Sequence, residues 1–207
     1  MGPFDPESLI RTLGTIGIIT VIFLECGMLL GLIFPGDSLL FTAGLFAATG
    51  KFGLNIGVVT LGVILAAIAG GQIGYWLGKK YGPGMFRRPD SRIFKQEYVQ
   101  RSEEFFDKHG SKTIFLARFL PFVRTLVPPL AGIGNMDLRK YTTYNVVGGV
   151  VWAGGVTLAG YALGTRIPPD KVDTYLIPIV LVIIALSLIP PILEWRKHKR
   201  EQNARVG

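Results

Sequence analysis

Apolar runs interrupted by isolated charges set the plan of this chain. From Thr15 to Phe34 the one charged residue is Glu25, and the run closes with Phe34-Pro35-Gly36-Asp37-Ser38. Leu39 to Thr49 is apolar again but only eleven residues long. That is about 16 Å of helix, too short for a hydrocarbon core of about 30 Å. Pro35-Gly36 therefore predicts the tip of a re-entrant hairpin over 15–49. Asp37 and Ser38 are placed to cap the returning helix, since their oxygens accept orphan amide hydrogens at a helix start. Asn55 to Gly78 carries no charge and is long enough to span. Its many glycines and alanines suit close helix contact in lipid.

The stretch 113–134 is apolar as well, yet it holds Arg118, Arg124, Pro121 and the pair Pro128-Pro129. Each proline removes a backbone donor and clashes with the preceding turn, so one straight helix is not expected. Non-helical backbone at membrane depth survives only where protein or a wet cavity satisfies it. A guanidinium near the bilayer centre costs roughly 2.5–3.5 kcal/mol on insertion scales. A second re-entrant hairpin, with its tip between Pro121 and Pro129 and lining a site, follows from these costs. A surface loop whose arginines snorkel to head groups is the blander alternative.

Tyr141 to Gly164 is a charge-free, glycine-rich span containing Asn145 and Trp152, and Tyr175 to Leu193 is a further charge-free apolar span. Residues 1–14, with Asp5, Glu7 and Arg11 among Leu9, Ile10 and Leu13, fit a short interfacial helix. The class predicted is an all-α polytopic membrane protein: two re-entrant hairpins, each followed by a glycine-rich spanning helix (55–78 and 141–164), and a C-terminal span over 175–193. Together, 15–193 form one membrane domain.

Composition agrees with that plan. Of 207 residues, 49% are hydrophobic and 27 are Gly, too apolar for a soluble domain. The net charge of +8 invites a nucleic-acid reading. However, the cations sit beside apolar spans. Residues 79–112 hold nine Lys or Arg against five acids, with an amphipathic helix expected from about Phe94 to His109. The tail 194–207 carries Arg196, Lys197, Lys199, Arg200 and Arg205. The positive-inside rule places both in the cytoplasm, and nucleic acid is not an expected partner. The single Cys26 excludes internal disulfides and cysteine metal sites. His109 and His198 lie far apart, so neither metal nor cofactor is expected. No His–Ser–Asp set suggests an enzyme.

The two halves echo one another. Gly74-Tyr75-Trp76-Leu77-Gly78 matches Gly160-Tyr161-Ala162-Leu163-Gly164 at an offset of 86, which Pro35 and Pro121 share; Ala43-Gly44 and Ala131-Gly132 are 88 apart. By charge the first motif ends at the cytoplasmic face and the second at the outer face. An inverted-topology repeat is the arrangement by which many transporters place a site at mid-membrane. Glu25 and Asp37 then belong to one hairpin, Arg118 and Arg124 to the other. Pairing of two acids with two bases would relieve the desolvation of all four. A purely structural quartet would do the same.

Glu25 with Phe34-Pro35-Gly36-Asp37, and Arg118-Phe119-Leu120-Pro121-Phe122-Val123-Arg124 with Pro129-Leu130-Ala131-Gly132, resemble the DedA family of bacterial membrane proteins. Met136, Tyr141, Asn145, Gly149, Trp152 and Gly160-Tyr161 with Gly164 extend the resemblance from about residue 8 to 190. Two positions depart from the family pattern. Gln72 stands where the family has an acid, and no proline occupies position 32.

The resemblance implies a multi-pass protein of the bacterial cytoplasmic membrane that returns undecaprenyl phosphate between leaflets, with dependence on the proton motive force. On that reading Arg118 and Arg124 bind a phosphate head group, because the planar fork is bidentate and always charged. Glu25 and Asp37 neutralise them in the empty site and take protons. Pro35, Gly36, Pro121, Pro128, Pro129 and Asn145 shape the site. The partners expected are a polyprenyl-phosphate lipid and the membrane, with homo-oligomerisation left open. A proton-coupled carrier of small ions or drugs and a membrane scaffold are the alternative functions.

The topology has a direct check. Single cysteines introduced at Lys51 and Lys95 should react with impermeant thiol reagents from opposite faces, position 51 from outside and position 95 from inside. Reaction of both from one face would defeat the inverted arrangement.

Overall fold

The computed structural model describes residues 6–27, 36–86, 110–167 and 178. Expectations for Pro35, the amphipathic segment 94–109, nearly all of 175–193 and the tail 194–207 lie outside them. The regular elements among the described residues are all helices. Helix α1 (Pro6–Gly27) bends at Gly14, whose φ of 58° and ψ of −153° suit a residue without Cβ. Its buried residues Ile18, Ile22, Glu25 and Cys26 recur at helical spacing and face inward. Helix α2 (Gly36–Thr49) is almost wholly buried. Helix α3 (Ile56–Phe86) opens under Asn55, whose Oδ1 accepts from the amides of Gly57 and Val58 at 2.9 and 3.2 Å.

In the second half, α4 (Lys112–Ala117) and α5 (Pro121–Ile133) are separated by a short break at Arg118, Phe119 and Leu120. Helix α6 (Leu138–Gly149) passes through a π-helical turn (Val150–Gly154) into α7 (Gly155–Gly164). Ile56–Gly82 and Leu138–Gly164 are each 27 residues of predominantly apolar helix, long enough to cross a membrane. At 1.5 Å per residue that is about 40 Å. Val58, Leu61, Leu65 and Trp76 on α3, and Val147, Val151 and Leu158 on α6 and beyond, point outward. Outward apolar stripes are what a lipid environment allows.

Three boundaries differ from the sequence reading. The first span does not stop at Gly78 but runs on to Phe86. Hydropathy marks where apolar side chains cease, whereas the helix persists because Gly82 still packs on Ile133. The span expected from Tyr141 begins at Leu138, with Asp137 capping it by accepting the Lys140 amide at 2.9 Å. Pro128-Pro129 does not form a hairpin tip, and both prolines lie inside α5. A mid-helix proline costs about 3 kcal/mol. Here the pair is braced by α3, with Pro128 set against Gly74 and the Pro129 backbone against Gly78. Pro121, by contrast, opens α5, where a missing donor is harmless.

Each short helix packs on the long helix of the other half: α2 on α7, and α5 on α3. The contacts repeat closely. A Cβ on Gly44 would meet the Thr157 carbonyl oxygen at 1.9 Å and the Tyr161 nitrogen; one on Gly132 would meet the Tyr75 carbonyl oxygen at 2.1 Å and the Lys79 nitrogen. A Cβ on Gly160 would collide with the Phe41 carbonyl oxygen just as one on Gly78 would collide with that of Pro129. Gly164 abuts Leu45 as Gly82 abuts Ile133. The short helices thus correspond at an offset of 88 and the long helices at 82 (Thr157 to Tyr75, Gly160 to Gly78). The offset of 86 taken from Gly-Tyr-x-Leu-Gly is one helical turn out of register. The letters match at Gly74 and Gly160, whereas the packing equates Gly160 with Gly78.

These contacts predict equal sensitivity at equivalent positions. Gly78→Leu and Gly160→Leu should each lower stability by about 3 kcal/mol or more, because backbone cannot move aside as a side chain can. Gly155→Leu, with nothing within 4 Å of its Cβ, should be neutral or slightly stabilising. Thermal unfolding of the purified variants in detergent measures all three.

Candidate functional site

Four of the residues singled out in the sequence come from four different elements. Glu25 lies in the last turn of α1, Asp37 in the first turn of α2, Arg118 in the break before α5, and Arg124 in the first turn of α5. Glu25, Arg118 and Arg124 are buried, and Asp37 is partly so. Arg124 donates from Nη2 to Glu25 Oε1 and from Nη1 to Asp37 Oδ1, the latter at 2.7 Å. One guanidinium thus serves two carboxylates of the other half, matching the fork that makes Arg suited to planar acceptors. Gly36 makes this possible, because a Cβ there would fall 1.8 Å from Glu25 Oε2.

The expected quartet is therefore divided. Both acids close on Arg124, and Arg118 meets no carboxylate within ion-pair distance among the described residues. Arg118 Nη2 donates instead to the Ala67 carbonyl at 3.1 Å and to Asn145 Oδ1. Asn145 Nδ2 in turn donates to the Ile68 carbonyl at 3.0 Å, and the Tyr141 hydroxyl to that of Gly71 at 2.7 Å. Three carbonyls of one α3 stretch, at 67, 68 and 71, thus accept from the second half of the chain. The separation has a geometric cause. Arg118 precedes α5 and turns toward α3 and α6, whereas Arg124, one and a half turns later, faces the ends of α1 and α2.

Other residues of this region were not counted in the sequence as site residues. Trp152, in the π-helical turn, donates from Nε1 to Asp37 Oδ1 at 2.8 Å, and the Arg124 guanidinium carbon lies 4.5 Å from its ring centroid. Gly71 and Gly148 leave room for Arg118: a Cβ on either would come within 3.0 Å of its side chain. Tyr75 stacks on Tyr141 at 4.5 Å and donates to the Met136 carbonyl at 2.6 Å. Their available signal was polar or aromatic character within charge-free spans. Gln72, at the family's acidic position, accepts from the Thr142 hydroxyl at 3.3 Å. Pro35 lies outside the described residues, and Pro128 and Pro129 brace α5 on α3 rather than touching a charge in the contacts given.

Comparison with known proteins identifies the family. The model of the VTT domain matches residues 34–162. Protein DedA of Escherichia coli K12 is 40% identical over 180 residues, covering 87% of this chain and 81% of that protein. The chain belongs to the DedA family. A membrane protein of Mycobacterium leprae described as uncharacterized is 43% identical over 197 residues, 95% of this chain and 86% of its own. The inner membrane protein YghB of Escherichia coli K12 is 35% identical over 176 residues, 81% and 78% of the two chains. No solved structure matches. The membrane class expected from the apolar runs is thus that of the relatives, and the VTT match spans Asp37, both arginines, Asn145 and Trp152.

The shared cation yields a stability prediction. Arg124→Gln leaves two buried or half-buried carboxylates without their base and should cost about 3–5 kcal/mol. Adding Glu25→Gln should recover part of that loss, since the most deeply buried charge is then removed as well. A double-mutant cycle read by thermal unfolding would contradict the pairing if the two losses simply added.

Proposed function

We propose that this DedA-family protein carries a phosphate-headed polyprenyl lipid, undecaprenyl phosphate or a close relative, between leaflets of the bacterial cytoplasmic membrane. The observation that carries this reading is Arg118: a buried guanidinium that donates to two neutral oxygens, the Ala67 carbonyl and Asn145 Oδ1, and pairs with no carboxylate among the described residues. A buried cation so placed attracts an anion strongly, because little water screens it. Arg124 adds a second fork, already held by Glu25 and Asp37. Its Nε and Glu25 Oε2 are buried without a hydrogen-bond partner among the described residues, so the cluster has polar capacity to spare.

In the proposed cycle the head group enters between the halves and binds Arg118 and then Arg124. Glu25 and Asp37 are displaced and take up protons, which couples lipid movement to the proton gradient. The lipid tail stays in the bilayer and slides along the glycine-rich helices. Inverted topology, with hairpins entering from opposite faces and the tail in the cytoplasm, would let the site open to either side in turn. The role is transport and not catalysis; a buried arginine pair binds phosphate but supplies no nucleophile.

The test is transport of a fluorescent polyprenyl phosphate by the full chain in reconstituted vesicles at two pH values. Wild type should move the lipid and Arg118→Lys should lose at least tenfold, since an ammonium cannot replace the fork. Arg166→Lys, at an exposed site, should be unaffected. Glu25→Gln should bind the lipid but transport it poorly and with little pH dependence. Normal transport by Glu25→Gln with its pH dependence intact would make the acids structural. Movement of inorganic phosphate instead of lipid would make the protein an ion carrier.

A further inference from the structure

We infer that Trp152 is a positioning residue for the buried charge cluster, holding Arg124 and Asp37 in register so that the guanidinium presents a fixed plane to an arriving anion. The inference rests on the transport reading only for the identity of that anion. Trp152 is 2% exposed and makes two contacts of opposite electrostatic character. Its ring face carries the Arg124 guanidinium, 4.5 Å from centroid to Cζ, and its edge donates through Nε1 to Asp37 Oδ1 at 2.8 Å. The same oxygen accepts Arg124 Nη1 at 2.7 Å. Indole, guanidinium and carboxylate therefore close a three-membered ring of contacts.

This pattern exceeds what core filling requires. A buried indole N–H needs some acceptor, and any backbone carbonyl would serve. Here it meets a charged carboxylate, and the ring simultaneously meets the cation paired with that carboxylate. A negative π-face and a positive N–H edge on one rigid group suit opposite charges at once. Phe offers the face without the edge, and Leu offers neither. The residue is aimed by the π-helical turn Val150–Gly154, an irregularity that proteins commonly place at functional sites. The consequence is an ordered exchange of partners. If an anion displaces a carboxylate from Arg124, the guanidinium remains on the ring and Asp37 remains on Nε1. The cluster then opens without losing its geometry.

The chain contains three tryptophans, at 76, 152 and 195, so Trp76→Phe with Trp195→Phe isolates the emission of Trp152 in the purified full chain. Arg124→Lys and Asp37→Ala should each shift that emission, and Arg139→Lys, at an exposed site, should not. Emission indifferent to both cluster variants overturns the inference. In nanodiscs containing polyprenyl phosphate, Trp152→Phe should bind the lipid about fivefold more weakly. Trp152→Leu, lacking face and edge, should bind about fiftyfold more weakly. Wild-type binding by Trp152→Leu also overturns it. Should that variant not accumulate, unchanged binding by Trp152→Phe has the same force. If the wild-type chain itself binds no phosphate lipid, the transport reading fails, and the emission shifts alone decide the positioning role.

Discussion

Arg124 is a cation taken out of water, and the arrangement around it follows from that cost. Removing a guanidinium from solvent costs several kcal/mol even after relaxation, and carboxylates at close range offset it only with good geometry. Glu25 and Asp37 supply that geometry from two different helices of the first half, and Trp152 supplies a π-face from the far end of the second. The contacts among the four form only when α1, α2, α5 and the π-helical turn have come together. The cluster therefore specifies the assembly of the two halves as well as lying within it. Among the described residues both acids close on Arg124, whereas Arg118 is held by the neutral oxygens of Ala67 and Asn145.

Helix packing answers a second constraint. Apolar side chains gain little by leaving lipid for a protein interface, so association relies on van der Waals contact and hydrogen bonds. The contacts of Gly44, Gly132, Gly78 and Gly160 with backbone carbonyls let α2 approach α7 and α5 approach α3 as closely as backbones can. Because the same contacts occur twice at offsets of 88 and 82, each half contributes one short helix and receives one. This exchange brings the N-termini of α2 and α5, with Asp37 and Arg124, to the same place. Close packing of the halves and formation of the charge cluster are two outcomes of a single geometry.

The sequence by itself determined the all-helical class, the two long apolar helices and the isolated charges within apolar runs, three of which meet in one cluster. These follow from local composition: a charge-free run of sufficient length has few alternatives, and a charge inside such a run must find company. It also exposed an internal repetition, although the letters of Gly-Tyr-x-Leu-Gly set its register one turn wrong. Letter matching cannot tell which glycine of a series meets which carbonyl, because every fourth residue of a helix lies on the same face.

Only the tertiary structure decided the rest. It kept Pro128-Pro129 inside a helix because α3 offers glycines opposite them, a fact about another segment. It extended α3 past Lys79 and Lys80 because Gly82 packs on Ile133. It also gave both acids to Arg124 and left Arg118 to Asn145 and a carbonyl. Charge counting balances totals but does not assign partners. Which carboxylate a guanidinium reaches depends on where its helix begins and which way that turn faces, and those directions are fixed by packing between residues nearly a hundred positions apart.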